Sequence, residues 1–159
     1  MWMLSRGSAL DASGEAATVG AAYTARAGDG RVLASCPDSP ERGDRWKWTI
    51  RLTGAEPHAG VDIDHDPELV TITRTTVEGP GEKDLDRATG RQFVIVPVAG
   101  ACQISIAGGP WARDITPGDV YIAEGEEPET LRISAADART RVEAIEIAAA
   151  DGSPLRWVP

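Results

Sequence analysis

The sequence predicts an all-β protein that forms one β-barrel domain over residues 1–159. Three observations support this prediction: apolar and polar residues alternate with a period of two, turn residues separate these short runs, and amphipathic helical periodicity is almost absent. A chain of this length buries about two-thirds of the surface of its unfolded state, which is enough for a single core.

Turn residues divide the chain into nine expected strands. At Pro117-Gly118-Asp119, proline presets the first turn angle and glycine accepts the positive φ of a type II turn, so the next strand begins at Asp119. The polar segments 36–44, 54–67 and 78–90 are expected to be loops, the second with room for a short strand at 61–63. The expected strands are 18–25, 31–35, 46–52, 69–77, 92–98, 102–107, 119–123, 131–134 and 142–148.

Composition argues against several classes of function. The net charge of −9 disfavours binding to nucleic acid or to an anionic membrane surface, because both require a basic footprint. Cys36 and Cys102 are the only cysteines, so a reduced pair is expected in place of a disulfide framework. The first twenty residues lack the pattern of a signal peptide, and no apolar run approaches about 18 residues. We therefore expect a cytoplasmic protein.

Alternation also places three charged residues on apolar strand faces. Arg74, Glu124 and Glu143 each share a face with two aliphatic residues of the same strand. An unpaired buried charge costs several kcal/mol, so either Arg74 pairs with one of the two glutamates at a cavity wall or the charges lie in water at strand ends. Trp48 lies on the inward face of its strand, where it either packs in the core or lines the same cavity.

Cys102 and Tyr121 complete the set of candidate site residues. Cys102 shares a face with Ile104 and Ile106, which suits a small buried hydrophobe or a ligand contact. Tyr121 is expected at the surface, at an interface or against a ligand. Nucleophilic catalysis has little support, because the chain has no Gly-x-Ser-x-Gly elbow and no histidine near Cys102.

Two histidines and several carboxylates lie within residues 57–68. His58 and His65, with an acidic neighbour, have the residue types of a facial metal triad. The segment lacks the strand pattern that would direct both imidazoles to one point, so we expect a solvated acidic loop and no metal cofactor.

The stretch 100–133, with ITPGDVYIAEGEEP at its centre, resembles the second motif of the cupin superfamily, the RmlC-like jelly rolls. The resemblance implies a jelly-roll β-barrel in which a Pro-Gly-Asp turn starts a strand. The equivalent of the metal-binding histidine is absent from residues 124–129, and so is the first motif's His-x-His pair. RWKWTIRLTGAE, GRQFVIVPVAGACQISI and ITPGDV are similar to the HutD/Ves branch, although its Trp-Lys-Asn-Gly-Gly opening is missing.

The resemblance implies a metal-independent enzyme that acts on a small organic metabolite in the barrel cavity, as an isomerase, epimerase, cyclase or dehydratase. A carboxylate of raised pKa would be its acid or base. The alternative is a non-catalytic, HutD/Ves-like protein that binds a small ligand. A homodimer is expected, through an edge strand or the Trp157 tail. The candidate residues are Glu143, Glu124 and Arg74 for catalysis, and Trp48, Cys102 and Tyr121 for substrate binding.

Overall fold

The structure is a computed structural model that describes residues 2–6, 17–19, 23–25, 31–37, 46–54, 58–125 and 127–155. The regular elements in these ranges are all β-strands, which confirms the all-β class. Among the same residues, no helix is long and apolar enough to cross a membrane. Trp157 and the expected tail contact lie outside the described residues.

Fourteen strands follow one another along the described chain, and every pairing between them is antiparallel. They are β1 (Trp2–Arg6), β2 (Ala17–Val19), β3 (Tyr23–Ala25), β4 (Arg31–Pro37), β5 (Trp46–Thr53), β6 (Gly60–His65), β7 (Val70–Glu78), β8 (Gly81–Arg87), β9 (Gln92–Ala99), β10 (Cys102–Ile106), β11 (Ala112–Ile115), β12 (Val120–Glu124), β13 (Glu129–Ala135) and β14 (Arg141–Ala149).

The strands form four sheets. The largest has the order β1-β12-β9-β14-β7, and a second sheet has the order β11-β10-β13-β8. Strands β4, β5 and β6 form a three-stranded sheet, and β2 pairs with β3. Within the described ranges no sheet closes on itself, so the closed barrel expected from the sequence is not found there.

The five-stranded sheet is the middle layer of the molecule, because each of its faces contributes to a different apolar cluster. One face packs against the three-stranded sheet and the other against the four-stranded sheet. Strand β9 is consequently buried at all eight positions. Burial on both faces explains why this segment reads as a continuous apolar run and not as an alternating one.

The first cluster lies between the five-stranded and three-stranded sheets. Trp48 and Ile50 of β5 pack there against aliphatic residues of the middle sheet. Its buried members are Trp48, Ile50, Ala59, Val61, Val70, Val94, Val96, Val98, Val120, Ile122, Ile145 and Ile147.

The second cluster fills the space between the five-stranded and four-stranded sheets. Its buried members are Val77, Leu85, Phe93, Ile95, Cys102, Ile104, Ile115, Tyr121, Ala123, Leu131, Ile133, Val142 and Ala144. The sequence led us to expect a ligand cavity in the interior. In these residues apolar side chains occupy that space, which is a packed core.

Most of the nine expected strands are present, with shifts of one or two residues at their ends. The expected strand at 18–25 is instead the hairpin formed by β2 and β3. In the segment 54–67, β6 covers and extends the short strand allowed for at 61–63. The loop expected at 78–90 contains β8, and β1 and β11 were not expected at all. These additional strands are short, polar or both, so alternation alone does not reveal them.

Candidate functional site

A polar groove opens at one corner of the contact between the five-stranded and three-stranded sheets. It has a volume of about 650 Å³ and is lined by residues of β6, β7 and β14 together with the segment before β6. The same strands contribute apolar residues to the first cluster along part of their length and polar residues to this groove. The groove is therefore the place where the packing of these two layers gives way to solvent.

Glu143 lies at the inner side of this groove and is only 8% exposed. Strand pairing sets it directly opposite Thr76, whose hydroxyl donates to Glu143 Oε1 at 3.1 Å. Arg74, two residues earlier on the same face of β7, donates from Nη2 to Glu143 Oε2 at 3.3 Å. The expected ion pair between Arg74 and Glu143 is thus present, and Thr76 completes it.

Arg141 is a residue of the middle sheet that forms a hydrogen bond to the facing wall of the groove. It lies two residues before Glu143 on β14. Its Nη2 donates to the carbonyl oxygen of Ala59, a buried residue that directly precedes β6 in the sequence. Its direct cross-strand partner is Glu78. Opposite charges at such positions commonly pair across strands. The Arg141 guanidinium bonds instead to Ala59, so it links the five-stranded sheet to the segment that leads into β6.

The opposite wall is formed by the start of β6 and the end of β5. Thr53, His58 and Asp62 are among its lining residues. At Gly60 the backbone itself lines the groove, and a Cβ there would come 3.3 Å from Thr53 Oγ1. The lining holds two arginines and three carboxylates, so it carries one net negative charge when His58 is neutral.

Glu124 lies on the same face of the middle sheet as Glu143 but at the other end. Ile122 of β12 and Ile145 of β14 both pair with Val94 of β9, so they lie in one row across the sheet. Strands β12 and β14 run in the same direction, so Glu124 and Glu143 lie on opposite sides of this row, each two residues from it. The separation is about 13 Å along the strands and about 10 Å across two strand spacings, so the two Cα atoms are about 16 Å apart. The three candidate catalytic residues therefore do not form one site.

Gln92 is a hydrogen-bond partner of Glu124. Its side-chain amide donates to Glu124 Oε2 at 2.7 Å, and both residues are at most 3% exposed. This pair satisfies part of the hydrogen-bonding need of a carboxylate surrounded by the first apolar cluster.

The three candidate binding residues lie on opposite sides of the middle sheet. Trp48 is fully buried in the first cluster, whereas Cys102 and Tyr121 belong to the second. Burial raises the pKa of the Cys102 thiol to about 12 and also raises the pKa of the Tyr121 phenol. Tyr121 stacks on Trp111 at a centroid distance of 5.7 Å. The expectation that Tyr121 is at the surface is wrong, because β12 is buried on both faces.

The two histidines do not converge. His65 ends β6 opposite Trp48, while His58 precedes Gly60 at the other end of the same strand. The five residue steps from Gly60 to His65 span about 17 Å of extended strand. Among the described residues, no group of three His, Cys, Asp or Glu side chains is arranged to hold a metal ion.

Arg87 is a buried residue that sequence reasoning missed. It is 1% exposed, and its guanidinium donates to Glu129 Oε1 at 3.0 Å and to the carbonyl oxygens of Gly125, Arg91 and Glu127. These bonds hold the segment between β12 and β13 against the end of β8. Arg87 stands in a polar stretch, so nothing in its local pattern predicts burial.

The groove residues Thr76, Arg141, His58 and Asp62 were not predicted as a group either. The signal that does exist is the spacing on β7 and β14, where Thr76 follows Arg74 by two and Arg141 precedes Glu143 by two. Period-two spacing puts each pair on one face. The contribution of β6 depends on how two sheets stack, which local spacing does not specify.

Comparison with known proteins gives little further information. No protein-family model matches the chain, and no curated protein matches it. Among solved structures, it is similar to a de novo designed double-stranded beta-helix determined by solution NMR. That likeness has 22% sequence identity and a TM-score of 0.38, and it covers 50% of this chain and 97% of the designed one.

Proposed function

We propose that the protein binds a small polar molecule in the groove between β6, β7 and β14 without converting it. One observation carries this proposal: the Arg74–Glu143 pair, completed by Thr76, lines a recess of about 650 Å³. Small-molecule sites have volumes of about 300–1,000 Å³ and a few convergent polar groups. The groove meets both criteria.

Binding is favoured over catalysis by the distribution of the carboxylates. An acid–base mechanism of the expected kind uses two ionisable groups around one substrate. Glu124 is about 16 Å from Glu143, too far to act on the same small molecule. Both oxygens of Glu143 already accept hydrogen bonds, from Arg74 and Thr76, so this carboxylate serves as an anchor.

A second candidate function is the metal-independent isomerase, epimerase, cyclase or dehydratase inferred from the sequence. The observation that favours it is that Glu143 and His58 line the same groove. A carboxylate and an imidazole are the commonest acid–base groups in enzymes. In this alternative, Glu143→Gln abolishes turnover and leaves the fold intact.

We further propose that the two large sheets form a jelly roll of the cupin kind, in a cytoplasmic homodimer. The strand orders β7-β14-β9-β12 and β8-β13-β10-β11 support the jelly roll, because they are those of eight strands folded as two Greek keys in a double sheet. The homodimer is supported by β7, an edge strand that in the described chain pairs on one side only.

The test is a thermal-shift screen of small polar metabolites against three proteins: the wild type, Arg74→Gln and the matched control Arg132→Gln. Arg74 and Arg132 have similar side-chain exposure, 45% and 40%, and each is paired with a carboxylate, but Arg132 lies on the four-stranded sheet. A ligand at one hundred times its Kd stabilises the folded state by about 2.7 kcal/mol. This raises the Tm by about 5–11 °C for a chain of this size.

We expect this stabilisation in the wild type and in Arg132→Gln, its loss in Arg74→Gln, and no change in the ligand by mass spectrometry. Stabilisation that persists in Arg74→Gln contradicts a site in the groove. Conversion of the ligand, abolished by Glu143→Gln, replaces the binding proposal with the enzyme.

A further inference from the structure

The geometry points to a ligand with two opposite charges, a zwitterion whose anionic end binds Arg74 and whose cationic end binds Glu78. This inference rests on the proposed function and specifies the chemical class of the ligand. Its basis is that the groove presents both signs of charge on one strand, β7.

Arg74 is able to accept an anionic group while it stays paired with Glu143. Within the described residues it donates one hydrogen bond, from Nη2, so its other N–H groups, including the second one on Nη2, are available to a ligand. Its side chain is 45% exposed. A guanidinium has donors on more than one edge, and carboxylates bind it with two parallel hydrogen bonds. Glu143 and Thr76 act here as positioning residues that hold the guanidinium in the groove.

Glu78 is able to accept a cationic group because Arg141, its cross-strand neighbour, forms its hydrogen bond with another residue. Arg141 faces it directly across the strands, yet the Arg141 guanidinium donates to the Ala59 carbonyl. In the part of the chain that the structure describes, the Glu78 carboxylate forms neither an ion pair nor a hydrogen bond, and the residue is exposed.

The spacing of these groups sets the length of the ligand. Glu143 lies directly opposite Thr76 in the strand pairing, and the Arg74 guanidinium bonds to Glu143. Along the direction of β7, the Arg74 guanidinium therefore lies near Thr76. Glu78 is two residues further along the strand, about 7 Å away. An α-amino acid carries its charges on neighbouring carbon atoms and is too short to meet both groups. A chain of several carbon atoms between ammonium and carboxylate spans them.

The experiment is an isothermal titration series with ω-amino acids from glycine to 8-aminooctanoate, with pentanoate and pentylamine as singly charged controls. The proteins are the wild type, Arg74→Gln, Glu78→Gln and the matched control Glu82→Gln. Glu82 is an exposed glutamate on β8, outside the groove lining. Circular dichroism verifies the fold of each variant, and exposed side chains at these positions make unfolding unexpected.

We expect the tightest binding for 5-aminopentanoate or 6-aminohexanoate, and at least tenfold weaker binding for glycine and for both singly charged controls. We expect the affinity to fall tenfold in Arg74→Gln and in Glu78→Gln, but not in Glu82→Gln. Equal affinity for pentanoate and 5-aminopentanoate overturns the zwitterion, and so does an unchanged affinity in Glu78→Gln.

Failure of this inference is distinguishable from failure of the proposed function. If no ω-amino acid binds but a neutral or singly charged metabolite gives Arg74-dependent stabilisation in the thermal-shift screen, the groove is a binding site and the zwitterion is wrong. If ω-amino acids bind with equal affinity to Arg74→Gln and the wild type, both proposals are wrong.

Discussion

Replacing Leu131 by alanine tests whether the space between the five-stranded and four-stranded sheets is a packed core. Leu131 lies on β13, has no exposed surface and belongs to the second apolar cluster. The change removes three carbon atoms, worth about 2.4 kcal/mol of transfer free energy at about 0.8 kcal/mol each. The cavity left behind adds to this, and buried Leu→Ala changes cost about 2–5 kcal/mol in total. We expect a loss of about 3 kcal/mol.

The assay is urea denaturation followed by tryptophan fluorescence, with an unchanged m-value as the sign that only stability has changed. The Tm should fall by about 6–12 °C. Leu69→Ala is the matched control, because the same atoms are removed from a partly exposed position and the loss should be clearly smaller. A loss below about 1 kcal/mol for Leu131→Ala, or one no larger than for Leu69→Ala, would mean that the interior is open and that our placement of the site is wrong.

Two further predictions concern the core and its turns. The folded protein keeps the proton of the Cys102 thiol up to its raised pKa of about 12, whereas the unfolded chain loses it above a pKa of 9.0. The free energy of unfolding should therefore fall as the pH rises from 9 towards 12. Denaturation curves measured across that range should show a smaller decline for Cys102→Ala. Gly100 and Gly108 both have positive φ, of 64° and 77°, but a Cβ at Gly100 would lie 2.6 Å from Thr140 Oγ1 and one at Gly108 would meet nothing within 4 Å. Gly108→Ala should cost about 1 kcal/mol and Gly100→Ala clearly more; equal losses would contradict this packing.

Period-two alternation predicted much of the fold because burial on one face leaves a direct mark on the sequence. It located β5, β7 and β14 within one or two residues, and it placed Arg74 and Glu143 on the strand faces that prove to be the same face of neighbouring strands. The cost of an unpaired buried charge then predicted their ion pair. This step succeeded because it depends on two neighbouring strands alone.

The polar edge strand β8 escaped prediction for a physical reason. Strand β8 has the sequence GEKDLDR, and its outward carboxylates bond to β13: Asp84 accepts two hydrogen bonds from Arg132, at 2.7 and 2.8 Å, and Glu82 accepts one from Ser134 at 3.0 Å. The Arg132 guanidinium also lowers the pKa of Asp84. Charged residues on an edge strand protect it from pairing with other chains, and they also make it read as a loop.

The layering of sheets could not be predicted from local patterns. Alternation says which side chains share a face but not which sheet covers that face. Trp48 and Tyr121 were therefore assigned to one cavity, although the middle sheet separates them. Glu124 was joined to Glu143 for the same reason, since both share a face but lie at opposite ends of it.

The most direct measurement of the central claim is the NMR chemical-shift map of the protein with a ligand found by the thermal-shift screen. If recognition occurs at the groove, the backbone amides of Thr76, Asp62 and Arg141 shift with ligand concentration while those of Leu131 and Ile133 stay in place. Shifts centred on Leu131 and Ile133 would instead locate the ligand between the two large sheets and contradict the account.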